Sequence, residues 1–251
     1  MGIVADNSGS SSDPVGIGVV VPYDMALDRE LWRWVPERVS LHLTRTPYED
    51  VPVGLGQALA IGDPATVADA TRNVTVVEPA VVAYGCTSGS FVTGQAGEAA
   101  LREAMVSAGA RRAVTTSGAL LRAVESLGIG SVAVVTPYPD EVGDRLVAFL
   151  GEAGVEVAGS SNMGLTGRIW EVPDTVTADL VRTTAKAGGD AVFVSCTNLP
   201  TYDVIAPLEE ELGRPVLTAN QVTMWAALLE AGVGTDEVEA RGQRLLSVSS
   251  A

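Results

Sequence analysis

The sequence is poor in the side chains on which most enzymes rely. Histidine occurs once in 251 residues, at His42, and lysine once, at Lys186. The only cysteines are Cys86 and Cys196. A Ser–His–Asp or Cys–His mechanism would have to use His42, which sits mid-strand in "SLHLT" as an ordinary sheet residue. A pyridoxal enzyme would need Lys186, which lies late in an amphipathic stretch without a phosphate loop. Two cysteines without C-x-x-C spacing and a single histidine supply a zinc site poorly, so neither metal nor cofactor is expected. "GCTSG" is not a G-x-S-x-G elbow, and "GIG" is not a G-x-G-x-x-G turn placed after a strand.

No apolar run approaches the roughly 20 residues that cross a bilayer. The net charge of −15 argues against nucleic acid and against an anionic membrane surface, both of which would repel the chain. Aromatic residues make up only 5%, so Ala, Val, Leu and Ile must fill the core. Residues 1–14, rich in Ser, Gly and Asp, read as a flexible tail rather than a secretory signal. Asp6 stands where a myristoylation signal needs Ser or Thr. The expectation is a soluble, cytoplasmic protein with reduced thiols.

What is present is an alternation of apolar runs with helical patterns. Strands are expected at 15–21, 39–45, 80–85, 112–116, 131–136, 155–160, 191–195 and 215–218. Several are continuous Val/Ala/Ile runs, as in parallel strands covered on both faces. Asp63 followed by Pro64 reads as a helix start, and Gly109 as the stop of a helix that begins near Thr93. Such alternation implies an α/β fold with right-handed crossovers. The cysteines lie nearly half the chain apart, each at the end of an apolar run and each followed by threonine. This spacing suggests two similar halves facing each other, 15–116 and 117–218, with segments 220–246 returning to the first.

In open parallel sheets, ligands bind beyond the carboxyl ends of the strands. Cys86 and Cys196 are expected there, near helix N-termini whose N–H groups favour anions and thiolates. "CTSGS" adds the hydroxyls of Thr87, Ser88 and Ser90, and Gly89 allows close backbone approach. "CTN" adds Thr197 and Asn198. These neutral donors would hold a carboxylate without lysine or arginine. Inert burial is the ordinary fate of a lone cysteine; two matched strand-end cysteines point instead to a site.

The motifs "GIGVVVPYD", "AYGCTSGSFVTG", "VAVVTPYPDEV", "SSNMGLTGRIWEVP" and "VFVSCTNLPT" carry a resemblance. The chain resembles the aspartate/glutamate racemase superfamily, in its branch of maleate cis–trans isomerases and arylmalonate decarboxylases, from Val15 to about Val233. The resemblance implies two pseudo-symmetric Rossmann-like (flavodoxin-like) halves with parallel sheets and an active site between them. It matches Cys86 to the isomerases' nucleophile and Cys196 to their acid/base, Tyr138 to a substrate-binding tyrosine and Asn162 to an asparagine that contacts carboxylate. "TSGSF" is similar to the decarboxylases' carboxylate loop, but those enzymes have glycine where this chain has Cys86. The isomerases carry "PSSN" after their first strand; here "PYDM" puts Tyr23, Asp24 or Met25 in that region, with Asp24 either a helix cap or a substrate contact. A small carboxylate or dicarboxylate substrate and a homo-oligomer are implied.

The leading expectation is a cofactor-independent cis–trans isomerase of the maleate type, with Cys86 thiolate adding to an activated double bond. Racemisation or epimerisation beside a carboxylate by the two thiols is the alternative, followed by decarboxylation and, outside enzymes, by a small-carboxylate binding protein. Arg122 and Arg168 are candidates for charge neutralisation, with an exposed arginine as the ordinary reading.

Overall fold

Eight Val-, Ala- and Ile-rich stretches form parallel strands in two sheets of four. The computed structural model describes residues 13–239 and 242–248, so residues 1–12 of the expected tail lie outside the described residues. The first sheet contains β1 (Val15–Val21), β2 (Val39–Arg45), β3 (Val81–Tyr84) and β4 (Ala113–Thr115) in the order β2-β1-β3-β4. The second contains β5 (Ser131–Thr136), β6 (Glu156–Asn162), β7 (Ala191–Val194) and β8 (Val216–Thr218) in the order β6-β5-β7-β8. The second order repeats the first strand for strand, so β7 occupies the position of β3. All eight expected strands are present, within two residues at their ends.

In chain order the helices are α1 (Asp28–Leu31), α2 (Leu55–Ile61), α3 (Pro64–Thr75), α4 (Thr87–Phe91) and α5 (Gly94–Ser107). There follow α6 (Thr116–Ser126), α7 (Asp140–Glu152), α8 (Asp174–Thr184), α9 (Tyr202–Leu212) and α10 (Ala219–Glu230). Asp63 caps α3 as its sequence suggests, accepting from Ala65 N and Thr66 N at 3.0 Å ahead of Pro64. Gly109, past the end of α5, has φ +108°, a conformation glycine adopts freely. The central strands β3 and β7 are buried along their whole length, as strands covered by helices on both faces must be.

The expected division at 116/117 falls on the first residues of α6, the connection between the sheets. Helix α10 returns to pack on α6 and on β3 and β4 of the first sheet. Thr223 Oγ1 lies 2.8 Å from Thr116 Oγ1, and Arg122 pairs with Glu230 at 2.7 Å. Beyond α10, Gln243 Oε1 accepts from the buried Trp34 Nε1 at 2.8 Å and from Gln221 Nε2 at 2.9 Å. Among the described residues no helix is long and apolar enough to cross a membrane.

Candidate active site

Each sheet reverses its strand order beside its first strand, so the loops after β1 and β3, and after β5 and β7, diverge and leave a crevice. The two crevices face one another across a single cavity of about 340 Å³, counting its mouth. The loop after β1 contributes Pro22, Asp24 and Met25; that after β3 contributes Cys86, Thr87 and Ser88. From the second half come Tyr138 after β5, and Cys196, Thr197 and Asn198 after β7. Val53, Gln57, Ile61 and Ile169 complete the wall, and among the described residues no Arg, Lys or His lines it.

Cys86 is the N-cap of α4, and its Sγ accepts from Gly89 N at 3.4 Å. Ser88 Oγ lies 3.9 Å from the sulfur. The Tyr84 hydroxyl beside it donates to Ile61 O at 2.6 Å. Burial pushes the Cys86 thiol up to about 11, against the opposing pull of the Gly89 N–H and the Tyr84 and Ser88 hydroxyls. Cys196 has φ +89°, a conformation rare for any residue with a side chain, and its Sγ accepts from Asn198 N at 3.3 Å. Burial pushes this thiol up to about 12, opposed by the Tyr138 hydroxyl and the Asn198 N–H. At neutral pH both are therefore protonated. Thr197 Oγ1 donates to Gly85 O at 3.1 Å, joining the two cysteine loops.

The remaining expected residues divide. Thr87 lines the cavity, and its buried Oγ1 has no hydrogen-bond partner among the described residues. Gly89 and Ser90 stand behind the wall rather than in it. Gly89 supports the Cys86 sulfur, while Ser90 Oγ donates to Cys86 O at 2.7 Å and sits 2.7 Å from Ser117 Oγ. Asn162, at the end of β6, does not line the cavity. Its side chain accepts from Thr136 Oγ1 at 2.9 Å and donates to Asp140 Oδ1 at 2.9 Å, bonds that hold the start of α7. Asn198 does line the cavity, but its side chain accepts from Ala26 N at 2.8 Å and donates to Asp24 O at 2.9 Å. It clamps the loop after β1 to the opposite half.

Asp24 faces the cavity and caps no helix: α1 begins four residues later, at Asp28, and no side chain bonds its first turn from Leu27. Gln57 Nε2 is 3.4 Å from Asp24 Oδ2 and donates to Tyr23 OH at 3.0 Å. Burial holds the Asp24 carboxyl above its usual range, against the pull of Gln57 and the Arg45 charge. Arg168 and Arg122 are surface residues paired with Glu171 and Glu230. His42 lies in β2 away from the cavity, its ring against Gly16. Sequence reasoning missed Tyr84 and Gln57. Tyr84 carried a signal, two residues before Cys86 and so on the same strand face; Gln57 lay in a helix with no distinguishing pattern.

Two matching halves, each bringing one strand-end cysteine to a shared cavity, make up an α/β protein with a candidate site between them. The chain belongs to the arylmalonate decarboxylase family, whose model matches residues 64–246. It is 35% identical over 200 residues to the arylmalonate decarboxylase of Bordetella bronchiseptica, covering 74% of this chain and 83% of that one. A liganded arylmalonate decarboxylase carrying a Gly-to-Cys and a Cys-to-Ser exchange superposes with a TM-score of 0.81 at 31% identity, over 88% of this chain and 94% of that one. The maleate isomerase of Nocardia farcinica is 28% identical over 234 residues, 84% of this chain and 88% of that one. A Cys-to-Ser mutant of a Nocardia farcinica maleate cis–trans isomerase, holding a covalently bound succinylcysteine intermediate, shares the fold with a TM-score of 0.82 at 22% identity, over 92% and 98% of the chains. The protein is thus an enzyme of the branch that joins maleate isomerases and arylmalonate decarboxylases.

Proposed function

We propose that the protein is a cofactor-independent isomerase of a small carboxylic acid, working through Cys86 and Cys196 by cis–trans chemistry of the maleate type. The observation that carries this reading is that both thiols line one cavity, each with a backbone N–H directed at its sulfur. Cys86, its proton released to solvent as the thiolate forms, adds to the double bond: a C–S bond forms, and the π pair moves into the adjacent carboxylate as an enolate. The Thr87 hydroxyl and the N–H groups at the start of α4 are the donors for that charge. Cys196 as a thiol protonates the α-carbon, the new single bond rotates, and the Cys196 thiolate takes the proton back as the C–S bond breaks. Two raised thiol pKa values suit a proton donor at Cys196 and require that Cys86 ionise in step with substrate binding. The relatives support thiol addition, and the glycine that decarboxylases carry in place of Cys86 speaks against simple decarboxylation. The working form in this reading is a cytoplasmic homo-oligomer.

A second reading, racemisation beside a carboxylate, is favoured by Asp24. An ionised Asp24 repels the second carboxylate of a dicarboxylate but accepts a hydrogen bond from an amino or hydroxyl group. Proton NMR in D2O separates the readings, with maleate, an arylmalonate and D- and L-amino acids run beside Cys86→Ala and Cys196→Ala. Fumarate formation from maleate, lost in Cys86→Ala, supports the isomerase. Exchange of an α-proton without a new alkene supports the racemase. Decarboxylation of the arylmalonate that survives Cys86→Ala overturns both.

A further inference from the structure

One half-buried acid takes no part in the chemistry above. Glu30, in α1 of the first half, reaches into the second half beneath the Cys196 loop. Its carboxylate accepts from Thr201 N and Thr201 Oγ1, both at 3.1 Å, and from Asn220 Nδ2 at 3.0 Å. The same Asn220 amide donates to Thr197 O at 2.9 Å. Thr197 and Thr201 bracket the segment that leads from Cys196 into α9, so this one carboxylate ties both of its ends. No cation pairs with Glu30 among the described residues; the nearby Arg33 is engaged by Asp203 at 2.6 Å.

The segment needs such support. Cys196 at φ +89° is strained, and conformations of this kind persist only where the surroundings over-determine them. Within the segment run the bonds from Leu199 N to Cys196 O at 3.3 Å and from Asn198 N to Cys196 Sγ at 3.3 Å. From outside, the Asn198 side chain is held by the loop after β1 and the Thr197 hydroxyl by Gly85 O, while Glu30 and Asn220 tie the two ends of the segment to each other. Burial also raises the Glu30 carboxyl above its usual range, so this acid is kept in place at an electrostatic cost. A group that served only to join the halves would be cheaper as an exposed pair like Arg33–Asp203 nearby.

We propose that Glu30 is the positioning residue for Cys196, acting through Thr201 and the Asn220–Thr197 bond to hold that thiol against the cavity in its left-handed conformation. The inference rests on the reading that Cys196 moves the proton, but its test needs no substrate. Iodoacetamide labelling of the full chain, followed at each cysteine by peptide mass spectrometry from pH 7 to 10, reads the two thiols separately. In Glu30→Gln the amide sets an N–H against the donors it must accept from. The Cys196 segment loosens, and Cys196 labels about tenfold faster, with its pH profile moved toward an ordinary thiol, while Cys86 stays within about twofold. Asn220→Ala moves Cys196 in the same direction. Arg33→Ala, which breaks the neighbouring ion pair and the stacking of that guanidinium on Tyr202 but none of the Glu30 bonds, leaves the ratio of the two rates unchanged. The proposal is overturned if a folded Glu30→Gln, or Asn220→Ala should the former not fold, keeps the wild-type ratio, or if Arg33→Ala shifts it equally. A protein that turns over none of the substrates above still reports this ratio, so the two failures are told apart.

Discussion

Raising the pH from 8 to 10 should remove much of the stability that two buried thiols lend the fold. Cys86 moves from an ordinary 9.0 to about 11, and Cys196 from 9.0 to about 12, chiefly because burial penalises the thiolate. Both folded values lie above the unfolded one, so the stabilisation is complete below about pH 9 and is lost as pH rises through 11 and 12. At pH 10 the unfolded chain is mostly thiolate while the folded chain is still mostly thiol. Each cysteine then costs about 1.4 kcal/mol, or about 3 kcal/mol together. That is a large fraction of the roughly 5–15 kcal/mol that holds a domain folded. Tyr84 and Tyr138, raised first by burial and further by the cysteines beside them, lose stability in the same direction, and only the burial part is common to wild type and variants. Urea unfolding at pH 8 and pH 10 gives the quantity directly. Wild type should lose about 3 kcal/mol more between the two pH values than the Cys86→Ala/Cys196→Ala double variant, and each single variant should fall about midway. Equal losses in wild type and double variant would refute the desolvation argument, and with it the requirement that Cys86 ionise on substrate binding.

Two further outcomes follow from backbone geometry. Cys196→Gly should be more stable than Cys196→Ala by about 1 kcal/mol, because only glycine adopts φ +89° without strain; urea midpoints in which alanine equals or exceeds glycine would contradict this. Gly89→Ala places a methyl group against the Tyr84 hydroxyl and 3.2 Å from Cys86 Sγ. It should cost about 1–3 kcal/mol and slow Cys86 labelling, readable by thermal unfolding and thiol kinetics; an unchanged labelling rate would show that the sulfur has room to move.

The strands and several helix ends were legible because their signals are local. Continuous runs such as "SVAVVT" and "AVFVS" contain little but residues suited to a doubly covered strand, and they became the central strands β5 and β7. Asp63–Pro64 caps α3 by a contact two and three residues away, which any short window of sequence contains. The paired cysteines were legible for a related reason. A strand that ends in a thiol twice, at equivalent places in two repeats, leaves a pattern that folding preserves.

The roles of the side chains around those thiols were decided only by tertiary structure. Asp24 reads in sequence as either a cap or a substrate contact; the chain turns at Tyr23–Asp24 and the carboxyl reaches the cavity, because Asn198, 172 and 174 residues away from its partners, holds that loop by both ends of its amide. Asn162 reads as a substrate contact, but Thr136 and Asp140 occupy its amide. Glu30 carried no signal at all, since its partners Thr201 and Asn220 lie 171 and 190 residues away along the chain. Periodicity and turn chemistry act over a few residues and are written in order along the chain. A hydrogen bond between halves depends on how two sheets dock, and on which of many polar groups is thereby denied water.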